Sequence, residues 1–138
     1  MSLKYLLDTD IVSEPLRPKP QHGVIRKLSR HEDEIAISSI VWHELRYGAE
    51  RLPPSRRREA IVQYLDEVVL ATMPILDYDR AAAEWHAKER ARLAARGATP
   101  LFADGQVAAI AHVNELTLVT FNDADFRQFQ GLRVLSWR

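Results

Sequence analysis

At 138 residues, with 46% hydrophobic and 28% charged side chains, the chain has the make-up of one globular domain spanning 1–138 and is wrong for a disordered tail. It contains no cysteine, so disulfides and thiolate-held zinc or iron–sulfur sites are excluded and a reducing cytoplasm fits. Nineteen basic residues balance nineteen acidic ones, which leaves no global field to draw the chain to nucleic acid or membrane; any such binding has to be local.

The first element is a buried strand over residues 3–7, "LKYLL", which stops at Asp8 and Asp10. That break leaves the N-terminal apolar run too short for a signal peptide or a membrane span. "RPKPQHG", residues 17–23, reads as a loop, and residues 24–29 carry Val24, Ile25 and Leu28 on one helical face. "HEDE", residues 31–34, reads as a solvated loop before a second strand at Ile35–Ser38. Ser39 is placed to cap a helix running to about Glu50, and Ser55 opens another to about Leu70, with "RRR" at 56–58 on its exposed face. A short strand follows at 73–76. Asp79 starts a long helix that Gly97 ends, and residues 101–114 form the most apolar helix. Two last strands fall at 117–120 and 133–135. Strands alternating with helices imply crossover connections and a parallel sheet with helices on both faces.

In such sheets ligands bind beyond the C-terminal ends of the strands. Asp8 lies there after the first strand, and "FNDADF" after the fourth presents Asn122, Asp123 and Asp125. On the helix after Ser39, Glu44 has Ile40, Val41, Tyr47 and Gly48 as helical neighbours, so it is expected to point inward. Asp104 repeats that pattern with Leu101, Val107 and Ala108. Carboxylates gathered this way repel by about 4 kcal/mol per pair at 4 Å and an effective dielectric near 20. Either some are protonated, or a hard divalent cation neutralises them. Oxygen ligands without Cys, and without His at either anchor, favour Mg²⁺ or Mn²⁺ over Zn²⁺, which is the chemistry of phosphodiester or phosphoryl transfer.

Each residue also has a plainer reading. Asp8 or Asp10 can cap the next helix; we expect Asp8 inward and Asp10 or Thr9 nearer the cap. Glu44 alone could satisfy a buried arginine, Asp104 could rest on a helix dipole, and Asp125 could belong to a turn. Only their joint occurrence points to a site. His43, His86 and His112 show no partner pattern, Trp42 and Trp85 read as packing or interface residues, and no phosphate-cradling glycine motif is present.

The order "LLDTDIVSE", "VWHELRYG", "FADGQVAAIA" and "LVTFNDADF", covering nearly the whole chain, resembles a PIN-domain ribonuclease, in particular the VapC-type toxins of toxin–antitoxin modules and their FitB branch. The resemblance implies a three-layer α/β/α fold with a five-stranded parallel sheet and Mg²⁺- or Mn²⁺-dependent RNA cleavage. By motif, Asp8, Asp104 and the helical acid Glu44 would hold metal, and Thr9 would be a supporting hydroxyl. Asn122 would take the fourth acidic position, one charge short, with Asp125 in support. The resemblance departs at Phe121, where many relatives carry arginine. It also implies a homodimer and a cognate antitoxin that blocks the acidic pocket and binds DNA itself, so that DNA is reached only indirectly and no membrane is involved. Arg46 and Arg17 are the rim arginines that would meet phosphates.

Two other readings fit parts of the sequence. In a haloacid-dehalogenase-like phosphatase, Asp8 would be the nucleophile and Asp10 the general acid, with Ser38 or Ser39, Asp123 and Asp125 downstream; Lys88 sits badly for that role, and Glu44 and Asp104 go unexplained. In a catalytically silent PIN-like binding module the acids would serve no chemistry.

Overall fold

The apolar triplet before Asp8 forms β1 (Tyr5–Leu7), and neighbours on both sides explain its composition: Leu6 and Leu7 are fully buried. The computed structural model describes residues 2–138. Four further parallel strands join β1: β2 (Ile35–Ser38), β3 (Ile75–Leu76), β4 (Thr117–Val119) and β5 (Val134–Leu135). Their order is β3-β2-β1-β4-β5, so β1 is central and registers Leu6 with Ala36 on one side and Leu118 on the other. A strand with neighbours on both edges and helices on both faces has no solvent side, which is why the strands read as apolar runs rather than alternating ones. The expected five-stranded three-layer architecture is the one found.

The helices are α1 (Thr9–Val12), α2 (His22–Arg30), α3 (Ser39–Glu50), α4 (Arg56–Tyr64), α5 (Leu70–Thr72), α6 (Arg80–Ala95), α7 (Phe102–Val113) and α8 (Asp123–Phe126). Several expectations shift at their edges. The cap of α3 is Ser38, whose Oγ accepts from Val41 N at 3.0 Å, rather than Ser39. Helix α2 begins at His22, inside the segment read as loop. The helix opened by Ser55 passes through a π turn, Leu65–Val69, before ending as α5; the wider turn buries both Leu65 and Val69 completely. Gly97 ends the α6 segment at φ +73°, a conformation a side chain would strain. "HEDE" is only half solvated: Glu34 bridges Lys4 and His31 at 2.8 Å each, and His31 stacks on Trp137.

Sequential strands run outward from β1 to β2 and β3, and the chain then returns to place β4 on the other side of β1. The strand order therefore reverses between β1 and β4, and the crevice outside their C-terminal ends is where a ligand meets backbone termini and loops rather than a continuous helix layer.

Candidate active site

Asp8 leaves β1 with extended backbone and caps α1 itself. Its Oδ1 accepts from Thr9 N at 2.9 Å and its Oδ2 accepts from the Thr120 hydroxyl at 2.9 Å. Burial pushes the Asp8 carboxyl above the usual carboxylate range, and these two bonds pull it partly back. The expected division of labour holds only in part: Asp8 is inward as expected, but it also takes the cap that was expected of Asp10 or Thr9. Asp10 turns inward, where its Oδ2 accepts from Phe121 N at 3.1 Å. Its Oδ1 is buried with no hydrogen-bond partner among the described residues. Burial first, and the Asp8 charge second, push Asp10 up to about 6.

Thr120 links the two strand ends. Fully buried just past β4, it donates to Asp8 and accepts from Asn122 N at 3.0 Å. Its oxygen also lies 3.5 Å from Asp10 Oδ2, but a hydroxyl has one proton, and the shorter bond to Asp8 takes it. Asp10 was expected from sequence only as a cap or, in the phosphatase reading, as a general acid, and Thr120 was not among the expected site residues. The available signal was a hydroxyl closing an otherwise apolar buried strand, "TLVT".

Glu44 comes from α3 and Asp104 from the first turn of α7, and both line one cleft of about 290 Å³ with Asp8, Thr9, Asp10 and Asn122. Glu44 is exposed at the cleft's mouth, not directed into the interior. The buried line of α3 runs through Val41, Leu45 and Ala49, and Glu44 lies one residue, about 100°, away from it. The Thr9 hydroxyl lies 3.4 Å from Glu44 Oε2. Asp104 is half-buried; burial, then the charges of Asp8, Asp125 and Glu44, hold its carboxyl above the usual range. Leu101, expected to flank it inside, is 74% exposed.

Asn122 is exposed and its side chain makes no capping bond to α8. Asp125 does not line the cleft, yet its charge reaches Asp104. Arg46 is not brought to the acids. Two residues beyond Glu44, it lies on the far side of α3, where Asp66 at 3.0 Å and Glu50 at 3.3 Å hold its guanidinium. At Phe121 a cation arrives from elsewhere: the Arg138 guanidinium stands 4.8 Å from the ring centroid.

The cleft therefore gathers four carboxylates, from β1's exit, α1, α3 and α7, and no lysine or arginine lines it. No three acidic or histidine side chains among the described residues close into a ready-made metal cage. The donors are all oxygens, one of them buried and unpaired, and three of the acids resist ionisation. Such a set fits a hard divalent cation.

Comparison with known proteins agrees with this fold. The PIN domain profile matches residues 5–132. The "tRNA(fMet)-specific endonuclease VapC" of Shigella flexneri is 33% identical over 135 residues, covering 98% of each chain. The crystal structure of FitAcB from Neisseria gonorrhoeae superposes with a TM-score of 0.87 at 31% identity, covering 96% of this chain and 97% of that one. The DNA-bound VapBC structure from Salmonella typhimurium gives a TM-score of 0.86 at 30% identity, covering 99% of both. A dehalogenase-like phosphatase is thereby set aside, and Lys88, exposed on α6, lies outside the cleft. A parallel sheet reversing at β1, acids meeting at that reversal, and a profile that spans nearly the whole chain lead to one conclusion: the chain belongs to the PIN domain family, alongside the VapC and FitB toxins.

Proposed function

We propose that the chain is a divalent-metal-dependent endoribonuclease, the toxin of a VapBC-type toxin–antitoxin module. The observation that carries this reading is the cleft at the β1–β4 reversal, where Asp8, Asp10, Glu44 and Asp104 converge without a compensating basic side chain in a PIN-family chain. Asp8 and Asp104, with Glu44 at the mouth, would hold Mg²⁺ or Mn²⁺; open, partly solvated acids suit Mg²⁺, which keeps several waters and binds through one or two carboxylates plus substrate phosphate. A cation held there would supply positive charge for the phosphodiester and would acidify water near it.

The chain's own groups do the rest. Thr120 favours the ionised form of Asp8 by donating to it. Asp10, tied to Phe121 N, locks the exit of β1 to the exit of β4. A cleft carboxylate would accept the proton of the attacking water as the new P–O bond forms, and the bond from phosphorus to the leaving RNA oxygen breaks with that oxygen taking a proton from solvent. Asn122, whose amide is uncommitted to its helix, is placed to donate to a phosphate oxygen, and Asp125 adds negative potential behind Asp104.

The antitoxin is the expected partner, since a 32% identical relative is the toxin FitB and a structural neighbour is a member of the VapBC family of toxin–antitoxin systems; an arginine from it entering the acids would supply the charge they lack. DNA is reached only through that partner, the toxin acts as a homodimer, and the absence of cysteine suits a reducing cytoplasm. The test is cleavage of total bacterial RNA by purified protein with Mn²⁺, Mg²⁺ or EDTA, beside Asp8→Asn and Asp104→Asn. Discrete metal-dependent fragments, absent in both variants, are expected. Fragments that persist in EDTA or in the variants would overturn the reading, and a wild type inert toward RNA would leave a binding module.

A further inference from the structure

The acidic cleft is not the largest depression on the molecule. It opens at Thr9 and Glu44 into a groove of about 950 Å³ between the segment after α1 and helices α3 and α4. Glu44 is the only carboxylate among the groove's lining residues, whereas Arg17, Arg51 and Arg57 all line it. Arg51 and Arg57 have no carboxylate partner among the described residues, and Arg17 is largely exposed, with Glu14 at 3.5 Å. Their neighbours Arg46 and Arg58, by contrast, are paired with Glu50 and Asp66. In a chain of zero net charge this is a local excess of positive charge leading up to an acidic cleft.

Tyr47 stands in the same groove, 59% exposed, with the Arg51 guanidinium 5.8 Å from its ring centroid. A large aromatic left open to solvent beside arginines is how proteins hold unpaired bases: the ring stacks and the cations take the backbone. Tyr47 lies three residues after Glu44 on α3, about 4.5 Å of axial rise along the same side. A base stacked there belongs to a nucleotide next to the phosphate in the cleft, not to a distant one.

Resting on the ribonuclease reading, we infer that this groove is the binding track for single-stranded RNA flanking the cut, with Tyr47 stacking one base and Arg51, Arg57 and Arg17 holding the neighbouring phosphates. The continuity with the acids and the open aromatic favour RNA over an acidic protein segment, which the same charges would also attract.

The test uses full-length protein and a short fluorescein-labelled single-stranded RNA of mixed sequence. Affinity is read by anisotropy with Mn²⁺ in an Asp8→Asn background that does not cut, and KM and kcat are read in the otherwise wild-type chain. All three side chains tested are exposed, so folding is expected to survive, and a melting curve checks it. Tyr47→Ala is expected to weaken binding about fivefold or more and to raise KM with little change in kcat, and Tyr47→Phe to restore both. Arg51→Gln with Arg57→Gln is expected to flatten log Kd against log salt by roughly 1.4, about 0.7 for each phosphate no longer neutralised. Unchanged affinity and slope, with RNA still cut by wild type, would overturn the inference and leave the ribonuclease reading standing. A wild type that neither binds nor cuts RNA would overturn both.

Discussion

Replacing Thr120 with valine keeps the shape of a fully buried side chain and removes one proton donor from the cleft. The hydroxyl donates to Asp8 Oδ2 at 2.9 Å and accepts from Asn122 N at 3.0 Å. A hydrogen bond to a charged acceptor contributes about 1.5–3 kcal/mol, and the partial exposure of Asp8 argues for the lower end. At about 1.4 kcal/mol per pH unit, losing it should raise the Asp8 pKa by roughly one unit. The sign follows from what the bond favours: it stabilises the ionised form, so its loss leaves Asp8 protonated to higher pH. The acidic limb of kcat/KM for RNA cleavage, measured at fixed Mn²⁺, should therefore move up by about one pH unit. The same bond supports the fold only while Asp8 is ionised. The drop in Tm, about 5 °C for this size of loss and chain, should accordingly be larger at pH 8 than at pH 5. An acidic limb that stays in place while Tm falls equally at both pH values would show that Thr120 only packs, and that the ionisation of Asp8 is set elsewhere.

In metal-free protein at pH 7.5, Asp104→Asn removes one of several mutually repelling charges and should raise Tm by a few degrees, about 1 kcal/mol after solvent screening, while abolishing cleavage; a fall in Tm would mean the acids are already compensated. Saturating Mg²⁺, at about a hundred times its Kd, should add about 2.7 kcal/mol, a Tm rise of roughly 9 °C by scanning fluorimetry. That rise should shrink as pH falls through about 6, where a proton on Asp10 competes with the cation, and a pH-independent rise would remove Asp10 from the cation's surroundings. Arg46→Ala should leave cleavage within about twofold and lower stability by about 1 kcal/mol, because it removes two solvent-screened ion pairs and a cation–π contact with Trp42 at 5.8 Å; a collapse of activity would show that Arg46 turns to the substrate. Gly105→Ala would set a methyl 2.6 Å from His86 Cδ2 and 2.9 Å from Cε1, and His86 is buried and held by the Tyr78 hydroxyl at 2.8 Å. Overpacking of about 1–3 kcal/mol should outweigh the helix-propensity gain of about 1 kcal/mol, lowering Tm and, through the adjoining Asp104, activity. A higher Tm would show that the His86 ring moves aside freely.

The centre of the sheet was legible because burial on both faces leaves β1, β2 and β4 no alternative composition: Leu6, Leu7, Ile37 and Leu118 are all wholly buried, and each lies in an apolar run. Asp8 and Asp104 were legible for the complementary reason, as charges set at the margins of such runs. What misled was the rotation of α3. Four apolar or small neighbours around Glu44 suggested an inward side chain, yet Tyr47 is exposed and Gly48 half-buried because that side of α3 borders an open groove instead of the core. Apolar neighbours mark a helix face without saying whether protein or a partner covers it, and here the misreading of Glu44 and the exposure of Tyr47 have one cause.

Asp10 and Thr120 escaped sequence reading because their roles exist only across the sheet. Within α1, two acids and a threonine offer equivalent caps, and local chemistry does not choose among them. The choice comes from β4: Asp8 N donates to Val119 O at 2.9 Å, which seats the Asp8 carboxylate against the Thr120 hydroxyl and turns Asp10 toward Phe121 N, residues more than a hundred positions away in sequence. The strand reversal that makes room for a ligand is therefore also what sorts the acids. Pairing β1 directly with β4 places two carboxylates of one short helix in different surroundings, Asp8 with two donors and Asp10 with an orphaned oxygen and a pKa pushed up to about 6. The two carboxylates of one short segment thus meet different surroundings, and the difference is set by the sheet rather than by the helix they begin.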